Sequence, residues 1–448
     1  ITLIVPYSSA SAIAVALNTN PHLTCLPLPK PNILAPKDLE QNTGTAAIFR
    51  LPEVRELIKC DFIVLPCDLV CELGGESLLE LWMMRGIGNR NFATESDNFM
   101  VRQNAGGIKG DNGGLCVWYD TKGELVIKGE ETDFIATVPL EVGPVPCSKT
   151  SLVNQTTKLV YTMPTDSLND LMRKEKGLPI RHGLIHAHTQ IRMLSSHRDA
   201  HMYILPFWVM DFINKNIHMD SIGEDVIGWW AKAGWQAGLA EKLSFGEIFK
   251  KQKSVLTDEE AIGRYSGHQY VNFGNLSTTY TLETRFSKDS ESGLKAVIPP
   301  VLAYVHPTSH RLIRRVDTAP LLRSISLQLA KLESIDTIGR EASSPYAHQS
   351  KIAYPDGIAP RTTVTKSDCI IAENVIVEER SSIKECVIGA NCRIKSGAKL
   401  LRCVLMDGVV IGRGCKLTGC ILGKRCDIGE DCTLQDCEVQ ENLLVEAR

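Results

Sequence analysis

Between residues 366 and 445 large aliphatic side chains return on a fixed beat: Ile371, Val377, Ile383, then Ile388, Ile394, Leu400, then Leu405, Ile411, Leu417, then Leu422, Ile428, Leu434, with Val439 opening another round. The steps run six, six and five, a period of seventeen residues. A period built from three near-hexads predicts a β-solenoid of triangular section, each hexad supplying one short strand and one corner, with the aliphatics pointing inward. Small or slim residues follow the same beat: Val375, Cys392, Val409 and Cys426 on one edge, Ser381, Ala398, Cys415 and Cys432 on the next. Cys369, Cys386, Cys403, Cys420 and Cys437 form a third ladder on the shortened edge. Gly389, Gly412, Gly423 and Gly429 each follow an inward aliphatic, where a corner is expected to demand positive φ.

Nine of the fifteen cysteines lie in this repeat. No CxxC pair occurs and their spacing is that of the coils, so they are expected to be small buried core thiols, with no bound metal. Outside the ladder the cysteines are irregular, which fits reduced thiols and a cytosolic location better than a disulfide framework. The 448 residues carry a net charge of -3, leaving no basic field to recruit nucleic acid or acidic membranes. The apolar start, residues 1–19, lacks a basic leader and is interrupted by Ser8, Ser9 and Ser11, so it reads as a strand and helix and not as a signal peptide. No window approaches the roughly twenty unbroken apolar residues of a membrane span.

Ahead of the repeat, strands alternate with helices, which predicts an α/β domain on a parallel sheet. Strands are expected at Ile1–Val5, Leu23–Leu26, Phe62–Leu65, Cys116–Tyr119, Leu125–Lys128, Leu159–Thr162, Gly183–Met193, Met202–Leu205 and Val301–Val305. Helices are expected at Ala10–Leu17, Thr45–Lys59, Ser77–Arg85, Asp166–Lys174, Phe207–Ile213, after Ser221 as N-cap with Glu224 completing a capping box, and at Leu321–Leu332. Trp229 and Trp230 are read as core residues. Asn104–Gly114 reads as an exposed loop and 244–295 as a polar insertion. The domains are therefore set at 1–332, a linker at 333–363 rich in Gly, Ser and Pro, and the repeat at 364–448.

Candidate chemistry is sparse. Asp68 follows a buried strand, at the edge of a sheet where α/β folds bind ligands. His182, His186 and His188 share a face if Arg181–Gln190 is a strand, though no nearby acid completes a metal site, and a structural role is preferred. All eleven histidines precede residue 349, so the repeat has no base for the acyl transfer that similar prisms perform.

An α/β domain followed by a hexapeptide β-helix resembles the sugar-1-phosphate nucleotidyltransferases. Gly44-Thr45-Ala46 is similar to that family's segment near the nucleotide base, and Asp68 takes the place of its magnesium-binding acid. The resemblance also implies parts that are missing here. No Gly-rich phosphate loop adjoins Ile1–Val5, Pro29-Lys30-Pro31 has no such run before it, the Glu-Lys-Pro of the sugar-phosphate site is absent, and Ala237 stands where an acid would follow Gly234-Trp235.

With Phe62-Ile63-Val64-Leu65-Pro66-Cys67-Asp68-Leu69, Tyr119-Asp120, Leu302-Ala303-Tyr304-Val305 and Val387-Ile388-Gly389 in this order, the chain more closely resembles the gamma subunits of eukaryotic translation initiation factor 2B. That resemblance implies a nucleotidyltransferase-like α/β domain and a left-handed hexapeptide-repeat β-helix, without catalysis or cofactor. Gly44, Thr45 and Asp68 would be the remnant of a nucleotide pocket, with the cysteine ladder purely structural. The implied partners are the homologous epsilon subunit, which carries out guanine-nucleotide exchange through an extra helical domain, the beta, delta and alpha subunits, and translation initiation factor 2. The absence of such a helical extension after Val445 favours gamma, and the last coil is expected to be buried against a partner. A sugar-nucleotide pyrophosphorylase is the competing expectation, and a nucleotide-binding module without turnover a third.

Overall fold

The computed structural model describes residues 1–24, 29–40, 42–92, 113–122, 127, 130–140, 151–249, 298–307 and 311–447. It divides into two compact units: Ile1–Leu65, Glu76–Trp118 and Glu131–His306 in the first, and Pro66–Gly75, Tyr119–Glu130 and Pro307–Arg448 in the second. All of the expected strand Leu125–Lys128 but Ile127, most of Asn104–Gly114 and nearly all of 244–295 lie outside the described residues.

Among the described residues ten strands precede the repeat: β1 (Thr2–Ile4), β2 (Asn32–Leu34), β3 (Phe62–Val64), β4 (Leu69–Cys71), β5 (Gly114–Asp120), β6 (Asp133–Pro139), β7 (Thr156–Pro164), β8 (Arg192–Leu205), β9 (Val301–His306) and β10 (Ile313–Arg315). The main sheet has the order β3-β8-β5-β9-β7-β6, and the fourteen-residue β8 also pairs with β6. The expected parallel sheet is corrected here: β3 with β8, β6 with β7, β6 with β8 and β7 with β9 all run antiparallel, while β1 with β2 is parallel. A strand as long as β8 reaches neighbours at both of its ends, so the sheet is built on one long shared strand instead of repeated crossovers.

Under this sheet lies an aromatic core. Trp208 meets Trp230 edge-on at 4.6 Å and Phe249 at 5.2 Å, while Phe212 stacks on Phe245 at 4.7 Å. Trp230 donates its indole N–H to the Pro299 carbonyl at 2.8 Å, which removes the cost of burying it. Ser221 caps the following turn as expected, its hydroxyl accepting from the Glu224 amide at 3.5 Å, but the turn Ile222–Ile227 is π-helical before α-helix resumes at Gly228–Ala233.

Three expectations fail locally. Thr45–Lys59 is two helices, Thr45–Ile48 and Pro52–Leu57, because Pro52 has no N–H to continue the first and fits the start of the second. Residues Pro21–Thr24 are helical where the sequence points to a strand, and residues 25 and 26 lie outside the described set. His182–Ala187 is a helix, not part of a strand; it turns Leu184 onto Val160 and Ala136 in a small apolar cluster.

In the second unit the repeat forms three five-stranded parallel sheets, with successive strands seventeen residues apart from Ile370 onward, as in Ile371 on Ile388, Leu405 and Leu422. Every inward aliphatic from Ile371 to Ile428 and the interior cysteines from Cys369 to Cys426 are buried. The stack begins earlier than the regular period, since Ile352 bridges to Ile371, Ile358 to Val377 and Thr363–Val364 to Ser382–Ile383. Residues 352–363, read as linker, thus supply most of a first coil on a nineteen-residue step.

Each corner carries one left-handed residue per coil: Asn374, Asn391, Gly408, Arg425 and Asn442 on one edge, Arg380, Gly397, Gly414 and Asp431 on the second, Glu385, Arg402, Gly419 and Asp436 on the third. Asn, Asp and Gly are the residues that reach αL most cheaply, which explains most of these choices. The positive φ expected at Gly389, Gly412, Gly423 and Gly429 is not found. Those glycines are required by space, because a Cβ at Gly412 would sit 2.4 Å from the Gly429 oxygen of the next coil.

The sequence reading missed a row of outward aliphatics. Ile370, Val387, Val404 and Ile421 stack on the outer surface of one sheet, and helix Ala319–Lys331 lies across it, leaving Val404 and Ile421 only 7 and 8% exposed. Leu321, Ile325 and Ala330 are the buried side of that helix, and Arg323 ties it down by donating to the Gly419 carbonyl and to Asp436 at 2.9 Å. Among the described residues no helix is long and apolar enough to cross a membrane.

Replacing Gly412 by Ala should therefore cost about 2–3 kcal/mol through overpacking against backbone, more than the ~1 kcal/mol for Gly397→Ala, where φ is 77° but the nearest contact is 3.8 Å. Urea midpoints of the two variants test the order; equal losses would mean that the close approach at Gly412 costs no more than the positive φ at Gly397.

Candidate functional site

Gly44 and Thr45 lie in the first unit, Asp68 in the second. Gly44 passes so close to Asp220 that a Cβ would meet its backbone oxygen at 2.4 Å, and the Ala46 amide donates to that same oxygen at 2.8 Å. Thr45 Oγ1 accepts from the Ile222 amide at 2.9 Å. The Asp225 carboxylate accepts from the Asp220 and Ser221 amides at 2.9 and 3.0 Å. The Gly-Thr-Ala segment is thus stitched to the first turn of the π-helix, and its small residues allow that approach.

Asp68 begins the short ribbon of β4 and β10, which pair antiparallel. Arg315 on β10 donates through Nε at 3.1 Å and Nη2 at 2.9 Å, both to Asp68 Oδ2, with the two side chains 15 and 19% exposed. The Val316 amide bonds the Asp68 carbonyl at 2.7 Å, and the Arg315 amide donates to the Tyr119 hydroxyl at 3.3 Å. Next to it the nearly buried Arg314 pairs with Glu130 at 3.2 Å and sits 5.3 Å over the Tyr119 ring. Glu72 accepts from the Leu312 amide at 2.7 Å and from Ser344, and the Tyr346 hydroxyl donates to the Cys71 carbonyl at 2.8 Å.

A carboxylate serves a cation through its oxygen lone pairs, and a guanidinium already takes two bonds from one oxygen of Asp68. The same guanidinium also approaches the Asp317 carboxylate at 3.7 Å, so Arg315 stands between two acids and ties β4 to β10. The sequence held this signal in Arg314-Arg315 after a strand, but not which acid they meet.

His182 and His186, one helical turn apart, place their ring centroids 6.1 Å from each other, and His188 lies beyond the helix in extended backbone. Among the described residues no group of three His, Cys, Asp or Glu could hold a metal ion.

In the prism the thiols face each other and the backbone. The Cys386 amide donates to Cys369 Sγ and the Cys403 amide to Cys386 Sγ, each at 3.5 Å, while Cys415 and Cys426 donate to the Gly429 and Gln440 carbonyls at 3.0 and 2.7 Å. Burial pushes the Cys392 thiol up to about 11, and Cys403, sharing bonds with its stacked neighbours, also rises to about 11. Protonated thiols neither ligate nor attack. The prism itself is where a known family is matched: residues 354–448 fit the family model of the EIF2B subunit epsilon LbH domain, a left-handed β-helix.

Asp68→Ala should destabilise by ~3 kcal/mol by leaving the largely buried Arg315 with only the longer contact to Asp317, and Asp68→Leu with Arg315→Met should recover most of it. A double-mutant cycle on urea denaturation measures this, and additive losses would deny the coupling. Iodoacetamide on the folded protein should label exposed Cys60 and Cys67 while sparing Cys392, Cys403 and Cys420, read by peptide mass spectrometry.

Proposed function

We propose that this chain is a non-catalytic, gamma-type subunit of the eukaryotic translation initiation factor 2B exchange factor. It would pair with the epsilon subunit, assemble with the beta, delta and alpha subunits in the cytosol, and promote GDP-for-GTP exchange on translation initiation factor 2. The match of residues 354–448 to an EIF2B β-helix carries the reading and supports a place in that exchange factor. The finer assignment to a supporting role rests on two further supports. Asp68, the one acid standing at a metal-site position of the related nucleotidyltransferases, is engaged by Arg315. The cysteine ladder and coil register of the prism serve packing, with no histidine base in the repeat.

A catalytic, epsilon-type role is the second reading, favoured by the description of the matched domain. Reconstitution separates the two. Alone, the chain should leave release of labelled GDP from initiation factor 2 at its intrinsic rate; added to an epsilon subunit, it should accelerate release several-fold. Release by the chain alone would favour the epsilon reading, and pyrophosphate release from a nucleoside triphosphate with a sugar 1-phosphate and magnesium would replace both readings with an enzyme.

A further inference from the structure

Four side chains in the first unit carry or accept positive charge without an acid to meet it. Lys158 on β7, Arg181, His188 and Lys232 make no ion pair among the described residues, although the field of Asp225 reaches Lys232. Each adjoins a member of one apolar cluster: Lys158 lies across from Val138 on β6, Arg181 and His188 flank the helix that carries Leu184, and Lys232 stands over Tyr161. Val160, Leu184, Tyr161 and Trp235 pack together there, with Trp235 pinned by donating to the Val160 carbonyl at 2.7 Å. Lys232 Nζ stands 4.7 Å over the Tyr161 ring and 5.0 Å over Trp229. His188 keeps a buried Nε2 with no hydrogen-bond partner, an orphan that native proteins rarely retain without a ligand or water.

The charges work against each other. Burial first, then the field of Arg181, lowers the Lys232 ammonium; burial lowers Lys158; burial and the Lys158 charge lower the His188 imidazole. Arg181 also counteracts the rise that burial imposes on the Tyr161 phenol. A fold that half-buries cations against one another stores repulsion that a multiply charged anion would relieve.

We propose that Lys158, Arg181, His188 and Lys232 form a binding site for a phosphate group, with Tyr161 and Trp235 as the wall for a flat organic body attached to it. Two or three charge-assisted donors suit a dianion with several acceptor oxygens better than a single carboxylate, and the exposed Arg181 provides the open side. This site is separate from Asp68 and does not depend on which subunit role the chain performs.

Thermal melts and titration calorimetry on the full chain at low salt test it, with inorganic phosphate and phenyl phosphate as probes. Saturable binding with a rise in melting temperature is expected, and Lys158→Met and Lys232→Met should each weaken it about tenfold. Without ligand these variants should melt no lower than the parent, because they remove a desolvated, repelled charge. Tighter binding of phenyl phosphate assigns the site to a phosphorylated small molecule, and equal binding assigns it to free phosphate. If Lys158→Met does not fold, Arg181→Gln at the exposed rim replaces it. No saturable binding, binding indifferent to the substitutions, or a loss of stability in unliganded Lys232→Met would overturn the proposal, the last by showing that the cations are structural.

Discussion

Register is the constraint on which the prism depends. Because from Ile370 onward each strand pairs in parallel with its counterpart seventeen residues away, side chains stack on their own copies, and a choice made at one position is repeated up a column. Inside, columns of Ile, Leu and Cys interlock, while the backbone spends its hydrogen bonds between coils, as from Val387 to Cys403 and from Val404 to Cys420. At the corners the same repetition demands one left-handed residue per edge and places glycine wherever two coils approach too closely for a Cβ. Thiols fit the third edge because they are slim, apolar enough to bury, and able to donate weakly to the carbonyl two residues back, as Cys386 does to Lys384 and Cys403 to Leu401.

The β4–β10 ribbon shows an acid at a sheet edge being claimed by the chain around it. Asp68 stands after β3, as an acid would at the edge of a ligand-binding sheet, yet it is answered from within the chain by Arg315, whose neighbour Arg314 is matched by Glu130. Two cations and two acids close on one another around Tyr119, and the strands they join gain their order from that closure.

Much of this is legible in the residues. The seventeen-residue beat locates the solenoid, its inward aliphatics and its thiol ladder, because a period repeated five times outweighs local ambiguity. Ser221, the strand at β9 and the helix over the prism are visible for similar reasons of capping and periodicity. What stays hidden depends on partners far along the chain. Nothing near Asp68 names Arg315, 247 residues away, and nothing in Gly412 distinguishes a need for positive φ from a need for room. His182–Ala187 misleads because alternation at His182, His186 and His188 fits a strand as well as it fits a turn of helix when Leu184 is the residue that must be buried. The outward column Ile370, Val387, Val404 and Ile421 is legible in principle, since aliphatics on both sides of a strand announce cover on both faces.

That covered column sets a limit on how the molecule can be taken apart. Helix Ala319–Lys331 precedes residue 354, where the matched β-helix domain begins, so a fragment cut at that boundary would carry a bare stripe of four stacked aliphatics. Such a stripe offers any apolar surface a long, flat and regularly spaced seat. Pull-downs with the excised prism would then harvest company that the intact protein never keeps, whereas a piece that starts before Thr318 would retain its own lid.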